Sequence, residues 1–356
     1  MNKPFSDLVI VELASVLAGP SVGLFFAELG AKVIKIENPK TNGDVTRSWK
    51  SPLENKEDFT SAYYWSVNAG KEIIFLDLTL SKDLETFYAL IKTADILISN
   101  YKFGDDHKLK VDYETLVQIN PQLIYASING FGTQNPRTAY DLILQAESGF
   151  MFMNGEKNSK ALKMPVALID LLAGHQLKEA ILIALLKKHK TQSGSHISVS
   201  LFDSALASLA NQATNWLIAH HLPTAQGSLH PNIAPYGELF LTKDQHYITF
   251  AIGSNSQFKN LCVILEIDLF ENELFKTNQL RVSNRDELYT LLNKKINLFT
   301  FDDLFIQCLK NDVPIGKIRN LKEVFELPEA QQMLHHFTNN HTSLTSVKSI
   351  AFRFLK

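Results

Sequence analysis

The first apolar run of the chain, Leu8-Val9-Ile10-Val11, is short, largely β-branched and free of polar positions, the pattern of a strand buried on both faces. Past Glu12-Leu13-Ala14 comes Leu17-Ala18-Gly19-Pro20, and Pro20 suits the first turn of a helix, where its missing N–H is no loss. Val22, Leu24, Phe25, Phe26, Ala27 and Leu29 continue that helix until Gly30 ends it. Residues 32–37 form the next strand, and strand, helix and strand in succession make a parallel, right-handed unit. The alternation then repeats. A strand is expected over 72–78, a helix over 84–93 with apolar positions at Leu84, Phe87, Tyr88 and Ile91, and a strand over 95–99. A short helix at 116–119 and a strand over 123–128 follow. This order predicts an open α/β sheet with helices on both faces.

Further along, a helix with a polar face is expected over 140–149, a short strand-like run over 166–169 and a strong helix over 171–188. A turn at 191–195, a strand over 197–201 and an apolar helix over 203–220 come next. Residues 221–235 hold Pro223, Gly227, Pro231 and Pro235, and this break sets a boundary between a large domain, 1–220, and a smaller one, 221–324. In the smaller domain two strands, 236–241 and 247–251, flank the polar turn at Lys243-Asp244, and helices occupy about 257–310. The tail after Pro328 is polar.

At 356 residues the chain suits two domains. Its net charge of -2, from 35 basic and 37 acidic side chains, lacks the basic excess of a general nucleic-acid binder. No run of about 18 apolar residues is present, so no membrane span is expected. The first seven residues lack the basic-then-apolar pattern of a leader, and a cytoplasmic location is the expectation. Cys262 and Cys308 form neither a disulfide framework nor a metal-binding pair and read as buried thiols. The histidines form no HExxH and no tight cluster, so no metal site is expected.

Asp170 is the sharpest candidate for chemistry. It falls between the run 166–169 and a long helix, where unpaired N–H groups and the helix dipole would hold a carboxylate ionised and ready to attack. A plain helix cap is the alternative reading. Tyr140 and Asp141 open the preceding helix, as pocket residues or as a buried tyrosine with another cap. Asn100-Tyr101-Lys102-Phe103-Gly104 follows a predicted strand, at the carboxyl edge where open sheets gather ligands; a solvated loop is the alternative. Glu37 could serve a ribose, but Gly19, Gly23 and Gly30 do not space as GxGxxG, which argues against a dinucleotide cofactor.

Taken in order, several stretches resemble the family III CoA-transferases. They include Leu17-Ala18-Gly19-Pro20, Leu29 to Glu37, Gly43-Asp44 with Arg47, Asn68-Ala69-Gly70-Lys71 and Leu76-Asp77-Leu78. Ala94 to Ile98 with Asn100-Tyr101, Tyr140-Asp141-Leu142-Ile143 with Gln145-Ala146, and Asp170-Leu171-Leu172-Ala173-Gly174 complete the set, which is densest over residues 8–205. The resemblance implies a Rossmann-like open parallel sheet completed by about 325–356, a smaller α+β domain, and an interlocked homodimer. It implies transfer of CoA between an acyl-CoA thioester and a carboxylic acid through an aspartyl anhydride and an aspartyl-CoA thioester, with Asp170 as nucleophile. CoA enters as substrate and product, and no cofactor is implied. Val16 and Ala18 would lie near the pantetheine, Leu76, Asn100 and Tyr101 near the adenine and ribose, and Lys108 near a phosphate. The family also contains α-methylacyl-CoA racemases, in which a histidine stands where this chain has Tyr140. A tyrosine, with an ordinary pKa near 10, is a poor base at neutral pH, so transferase is the first reading and exchange of an acyl-CoA α-proton the alternative.

Overall fold

The structure is a computed structural model that describes residues 3–339, 342–353 and 355. Two compact units are present: residues 1–151, 163–223 and 332–356 form one, and 152–162 with 224–331 form the other. The segment 152–162, which chain order alone assigns to the first unit, belongs to the second.

The first unit opens with β1 (Val9–Leu13), α1 (Ala18–Glu28), β2 (Lys32–Glu37), α2 (Ala62–Asn68), β3 (Glu72–Phe75), α3 (Ser81–Ile91) and β4 (Ile96–Ser99). It continues through α4 (Asp105–Leu109), α5 (Tyr113–Ile119), β5 (Ile124–Asn129) and α6 (Asp141–Glu147), and α7 (Phe150–Met153) begins in it and ends in the second unit. After α8 (Leu168–Thr191) come β6 (Ser195–Ser200), α9 (Leu201–Ala207) and α10 (Ala210–Leu217). The six strands form one parallel sheet in the order β3-β2-β1-β4-β5-β6, the mixed α/β architecture expected. Side chains alternate across it. Ile10, Ile96, Ile98, Ile124 and Ala126 pack on the α1 and α8 side, whereas Val11, Leu97 and Tyr125 pack on the α3 and α5 side. Burial on both faces explains why these strands read as unbroken apolar runs.

Two expectations change, and the tail acquires strands. The run 166–169 is not a strand: α8 starts at Leu168, and the apolar residues before it have no ladder partner. The helix expected over 203–220 is two helices, broken at Ser208-Leu209, where Ala210 takes a φ of 47° without a Gly or Pro to announce it. The polar tail is ordered as a hairpin of β10 (Leu334–Asn339) and β11 (Thr342–Val347). Beyond the hairpin, the Ser349 N–H and hydroxyl and the Ile350 N–H all donate to the Glu28 carboxylate at the end of α1, at 2.8 to 3.1 Å.

In the second unit, β7 (Phe240–Leu241), β8 (Tyr247–Phe250) and β9 (Ile315–Lys317) form an antiparallel sheet. Its core includes Phe240, Phe250 and Phe258, packed with side chains from α11 (Asn255–Ile264), α13 (Arg285–Ile296) and α14 (Phe301–Lys310). α12 (Asn278–Ser283), α15 (Leu321–Phe325) and α16 (Pro328–Gln331) complete it.

One contact in the first unit fixes α8 against α1. A Cβ at Gly174 would lie 2.5 Å from Ser21 Oγ and 3.3 Å from the Ala18 carbonyl, so a side chain there would have to push Ser21 aside. Asp170 lies one turn before Gly174 on the same helix, so the crossing sets where its carboxyl emerges.

Glu28→Ala leaves three donors near the C-terminus without their acceptor. The expected result is a loss of roughly 2 kcal/mol in urea unfolding, with hydrogen exchange accelerating first at Ser349 and Ile350. Unchanged exchange at those two amides would show that the clamp contributes nothing.

Candidate active site

In the order β3-β2-β1-β4-β5-β6 the chain reverses direction of growth between β1 and β4, and ligands collect at the carboxyl ends of strands flanking such a reversal. A cleft of about 320 Å³ opens there. Val16, Ala18, Asn100, Tyr101, Tyr140 and Asp170, six of the residues singled out above, all line it. Asp141 sits just behind, next to Tyr140. Leu76 is buried in the core of the α3 face, and Lys108 is an exposed side chain paired with Asp105 at 2.8 Å; neither lines this cleft.

The β1–α1 loop forms one rim and is held by side chains on both sides. Ser15 N–H donates to Asn100 Oδ1 at 3.0 Å, and Asn100 Nδ2 donates back to the Ser15 carbonyl at 2.8 Å. The Val16 N–H donates to the Asp44 carboxylate at 3.2 Å. Val16 itself has a φ of 70°, a conformation costing a β-branched residue about 1–3 kcal/mol. Asp44 can hold it because Asp44 is anchored in turn. Its carboxylate accepts from the Thr46 N–H and hydroxyl and lies 3.1 Å from the Lys35 ammonium.

Lys35 also reaches Glu12 at 3.1 Å and the Ala14 carbonyl at 2.5 Å, and Lys71 reaches Glu12 at 2.8 Å and the Pro20 carbonyl at 2.9 Å. All four charged side chains are buried. Burial pulls both ammonium groups down, but Glu12, Asp44 and Glu37 outweigh it at Lys35, whose pKa ends above its ordinary 10.5. At Lys71 burial wins, since Lys35 opposes the pull of Glu12, and the pKa falls to about 8. Burial raises Asp44, yet Lys35 and the Thr46 donors more than reverse this and hold it below the usual carboxylate range. Gly23 makes room for the cluster under α1: a Cβ there would lie 1.9 Å from Glu12 Oε2.

Asp170 has the opposite environment. The residue preceding α8, Ala167, offers no capping side chain, and Asp141 at the start of α6 caps the helix instead, its Oδ1 accepting the Ile169 N–H at 2.8 Å. The Leu171 N–H is taken by the Ala167 carbonyl. Among the described residues no donor reaches the Asp170 carboxylate, and the side chain is only 7% exposed. Burial, then the charge of Asp141, pushes its pKa from 3.8 up to about 7. The expectation that the helix terminus keeps Asp170 ionised is therefore corrected: the first-turn N–H beside it is spent on Asp141. Tyr140 is likewise not a buried tyrosine but 56% exposed at the cleft.

Tyr63 on α2 escaped the sequence reading. Burial, then the charges of Asp170, Asp141 and Asp44, raise its hydroxyl to about 12, which sets it in the field of all three carboxylates. Nothing in the aromatic run Tyr63-Tyr64-Trp65 distinguishes this ring from core packing.

The unpartnered carboxyl of Asp170 has a thermodynamic signature. The folded chain holds the proton to about pH 7 and an unfolded aspartate releases it near 3.8, so the site's contribution to stability falls as pH rises between those values. Asp170→Asn removes that dependence. In urea unfolding, the variant's advantage over wild type should grow by about 2–3 kcal/mol between pH 5 and pH 8; a gap independent of pH would contradict the unpartnered carboxyl.

Comparison with known proteins places this architecture. The family described as CoA-transferase family III matches residues 5–355. The chain is 38% identical over 337 residues to a succinate–glutarate CoA-transferase of Agrobacterium fabrum, spanning 93% of this chain and 84% of that one. It is 36% identical over 338 residues to the succinyl-CoA:glutarate CoA-transferase of Homo sapiens, spanning 94% and 75%. The fold matches the crystal structure of a CAIB/BAIF family protein from Brucella suis with a TM-score of 0.88, at 37% identity and over 99% and 93% of the two chains. A match over nearly the whole chain, in sequence and in fold, makes this protein an enzyme of the family III CoA-transferases.

Proposed function

We propose that the enzyme moves CoA between an acyl-CoA thioester and a carboxylic acid, with Asp170 as nucleophile. The observation that carries this reading is the position of Asp170: a buried carboxyl without donors, lining the cleft at the sheet's reversal point. An Asp170 oxygen attacks the thioester carbonyl carbon and the C–S bond breaks, giving a mixed anhydride and CoA thiolate. The thiolate then attacks the Asp170 carbonyl, releasing the first acid as its carboxylate and leaving aspartyl-CoA. The acceptor carboxylate attacks that thioester, and returning thiolate forms the new acyl-CoA and frees Asp170. Splitting the exchange this way keeps an activated acyl group at every stage. The route draws on no metal or further cofactor.

The Ala18 and Gly19 N–H groups open α1, where no intrahelical acceptor exists for them, and Leu17 and Ala18 line the cleft. They are the backbone donors suited to the oxyanions that develop. Val16, Ala18, Asn100 and Tyr101 would contact CoA, and Tyr140 and Asp141 would shape the acyl end. Lys108 would serve the nucleotide end, where a phosphate would have to displace Asp105 from it, whereas Leu76, buried in the core, offers little surface to an adenine or ribose. The named relatives act on succinate and glutarate, which puts short dicarboxylic acids first as donor and acceptor. An interlocked homodimer in the cytoplasm belongs to the same reading. α10 buries none of its residues, and Trp216, Leu217 and Ile218 at its end are half or more exposed, apolar surface suited to a second copy.

The test is to incubate the enzyme with succinyl-CoA or glutaryl-CoA, quench with hydroxylamine and sequence the peptides by mass spectrometry. A hydroxamate should appear on Asp170, and its formation should rise with pH and level off above about 7, as the carboxyl ionises. Asp170→Ala should lower CoA exchange by at least about 1,000-fold. Deuterium wash-in at the acyl α-carbon with no adduct at Asp170 would instead establish an isomerase.

A further inference from the structure

Gln145 lies on α6, one turn beyond Asp141, and is fully buried. Its Nε2 donates to Asp141 Oδ2 at 2.6 Å, and its Oε1 accepts the Met164 N–H at 2.8 Å. A backbone N–H can only donate, so Oε1 must face Met164, and this leaves Nε2 for the carboxylate. Asp141 is thereby gripped on both oxygens, Oδ1 by the Ile169 N–H and Oδ2 by Gln145. Each residue of the Asp141–Ile169 bond is adjacent in the chain to one that lines the cleft, Tyr140 and Asp170. One short chain of hydrogen bonds therefore ties both walls of the reacting end together, and a buried neutral amide is its keystone.

We propose that Gln145 is a positioning residue for the transfer: by fixing Asp141 against the first turn of α8, it sets the place of the Asp170 carboxyl relative to Tyr140. The inference rests on Asp170 being the nucleophile. Gln145 itself does not line the cleft and touches no reacting atom. An amide is the group required here, because it supplies a donor to a carboxylate and an acceptor to an N–H without adding charge beside Asp141 and Asp170. A glutamate would meet Asp141 as a like charge until it took up a proton.

Two variants test this, with rates normalised to folded protein by near-ultraviolet circular dichroism. Gln145→Leu keeps the volume and loses both bonds. Its rate of adduct formation at Asp170 with succinyl-CoA should fall on the order of 10- to 100-fold, the scale of a small displacement of a reacting group, while KM for succinyl-CoA stays within about threefold. Gln145→Glu should be as impaired at pH 8 but recover on acidification, since the protonated carboxyl restores the donor to Asp141; its rate relative to wild type should rise at least about tenfold from pH 8 to pH 6. A role in folding alone would leave that ratio flat. Gln145→Leu with a rate within twofold of wild type, beside an inactive Asp170→Ala, overturns this inference alone. Asp170→Ala with wild-type turnover overturns the nucleophile reading and this inference with it. If Gln145→Leu does not fold, the pH ratio of Gln145→Glu decides, and a flat ratio overturns the proposal.

Discussion

The cleft depends on one buried constraint, the ammonium of Lys35 held between the carboxylates of Glu12 and Asp44. Taking several charges out of water is expensive, and apolar residues of similar volume often do as well or better for stability. The cluster is better understood by what it places. Asp44 uses its remaining acceptor capacity on Val16, so the Lys35 pair is what keeps a β-branched residue at a φ of 70° on the rim. Removing one member would leave an unpaired buried charge, at a cost of about 3–5 kcal/mol, and would release the rim as well. Lys71 adds a second anchor to Glu12 and reaches the Pro20 carbonyl in α1, so the strand, the loop and the following helix share one set of charges.

Asp170 sits in the same unit under reversed terms. Asp44 is surrounded by donors and a cation, whereas Asp170 is buried beside another carboxylate, with the N–H of the preceding residue committed to Asp141. Helix position alone does not decide the state of a carboxyl; the partners left over after the helix is capped decide it. Two aspartates close to helix starts, Asp141 and Asp170, divide the work: one accepts the N–H and the other is left without it.

Much of the sheet was legible in the sequence because its strands are buried on both faces, and Ile10, Leu97 and Ile124 stand between apolar neighbours. Residues 32–37 show where that legibility ends. Lys35 alternates with Ile34 and Ile36 as an outward-facing polar position would, yet it is completely buried, since its partners Glu12 and Asp44 come from distant segments. The break at Ala210 was invisible for a related reason: its positive φ is carried by a residue that does not favour it. At the site, the order of motifs singled out Asp170, Tyr140 and Asn100, whereas the elevated pKa of Asp170 comes from burial and then from the charge of Asp141, both set by tertiary packing, and left no local mark.

That elevated pKa bears on the proposed chemistry in two opposing ways. A carboxyl titrating near 7 is only about half ionised at neutral pH, which lowers the population able to attack. The carboxylate that does form accepts from no protein donor among the described residues and is more basic than an ordinary aspartate, which favours attack on a thioester. The loss is about twofold at pH 7, whereas a gain of about three pKa units in basicity acts on every encounter through the Brønsted relation. Withholding donors from Asp170 thus costs the fold stability as pH rises and, in the proposed mechanism, yields a stronger nucleophile. Donors aimed at the carboxylate would restore that stability and weaken the proposed attack, so the Asp141 cap, which takes up the Ile169 N–H beside Asp170, fits the proposed chemistry as well as the helix.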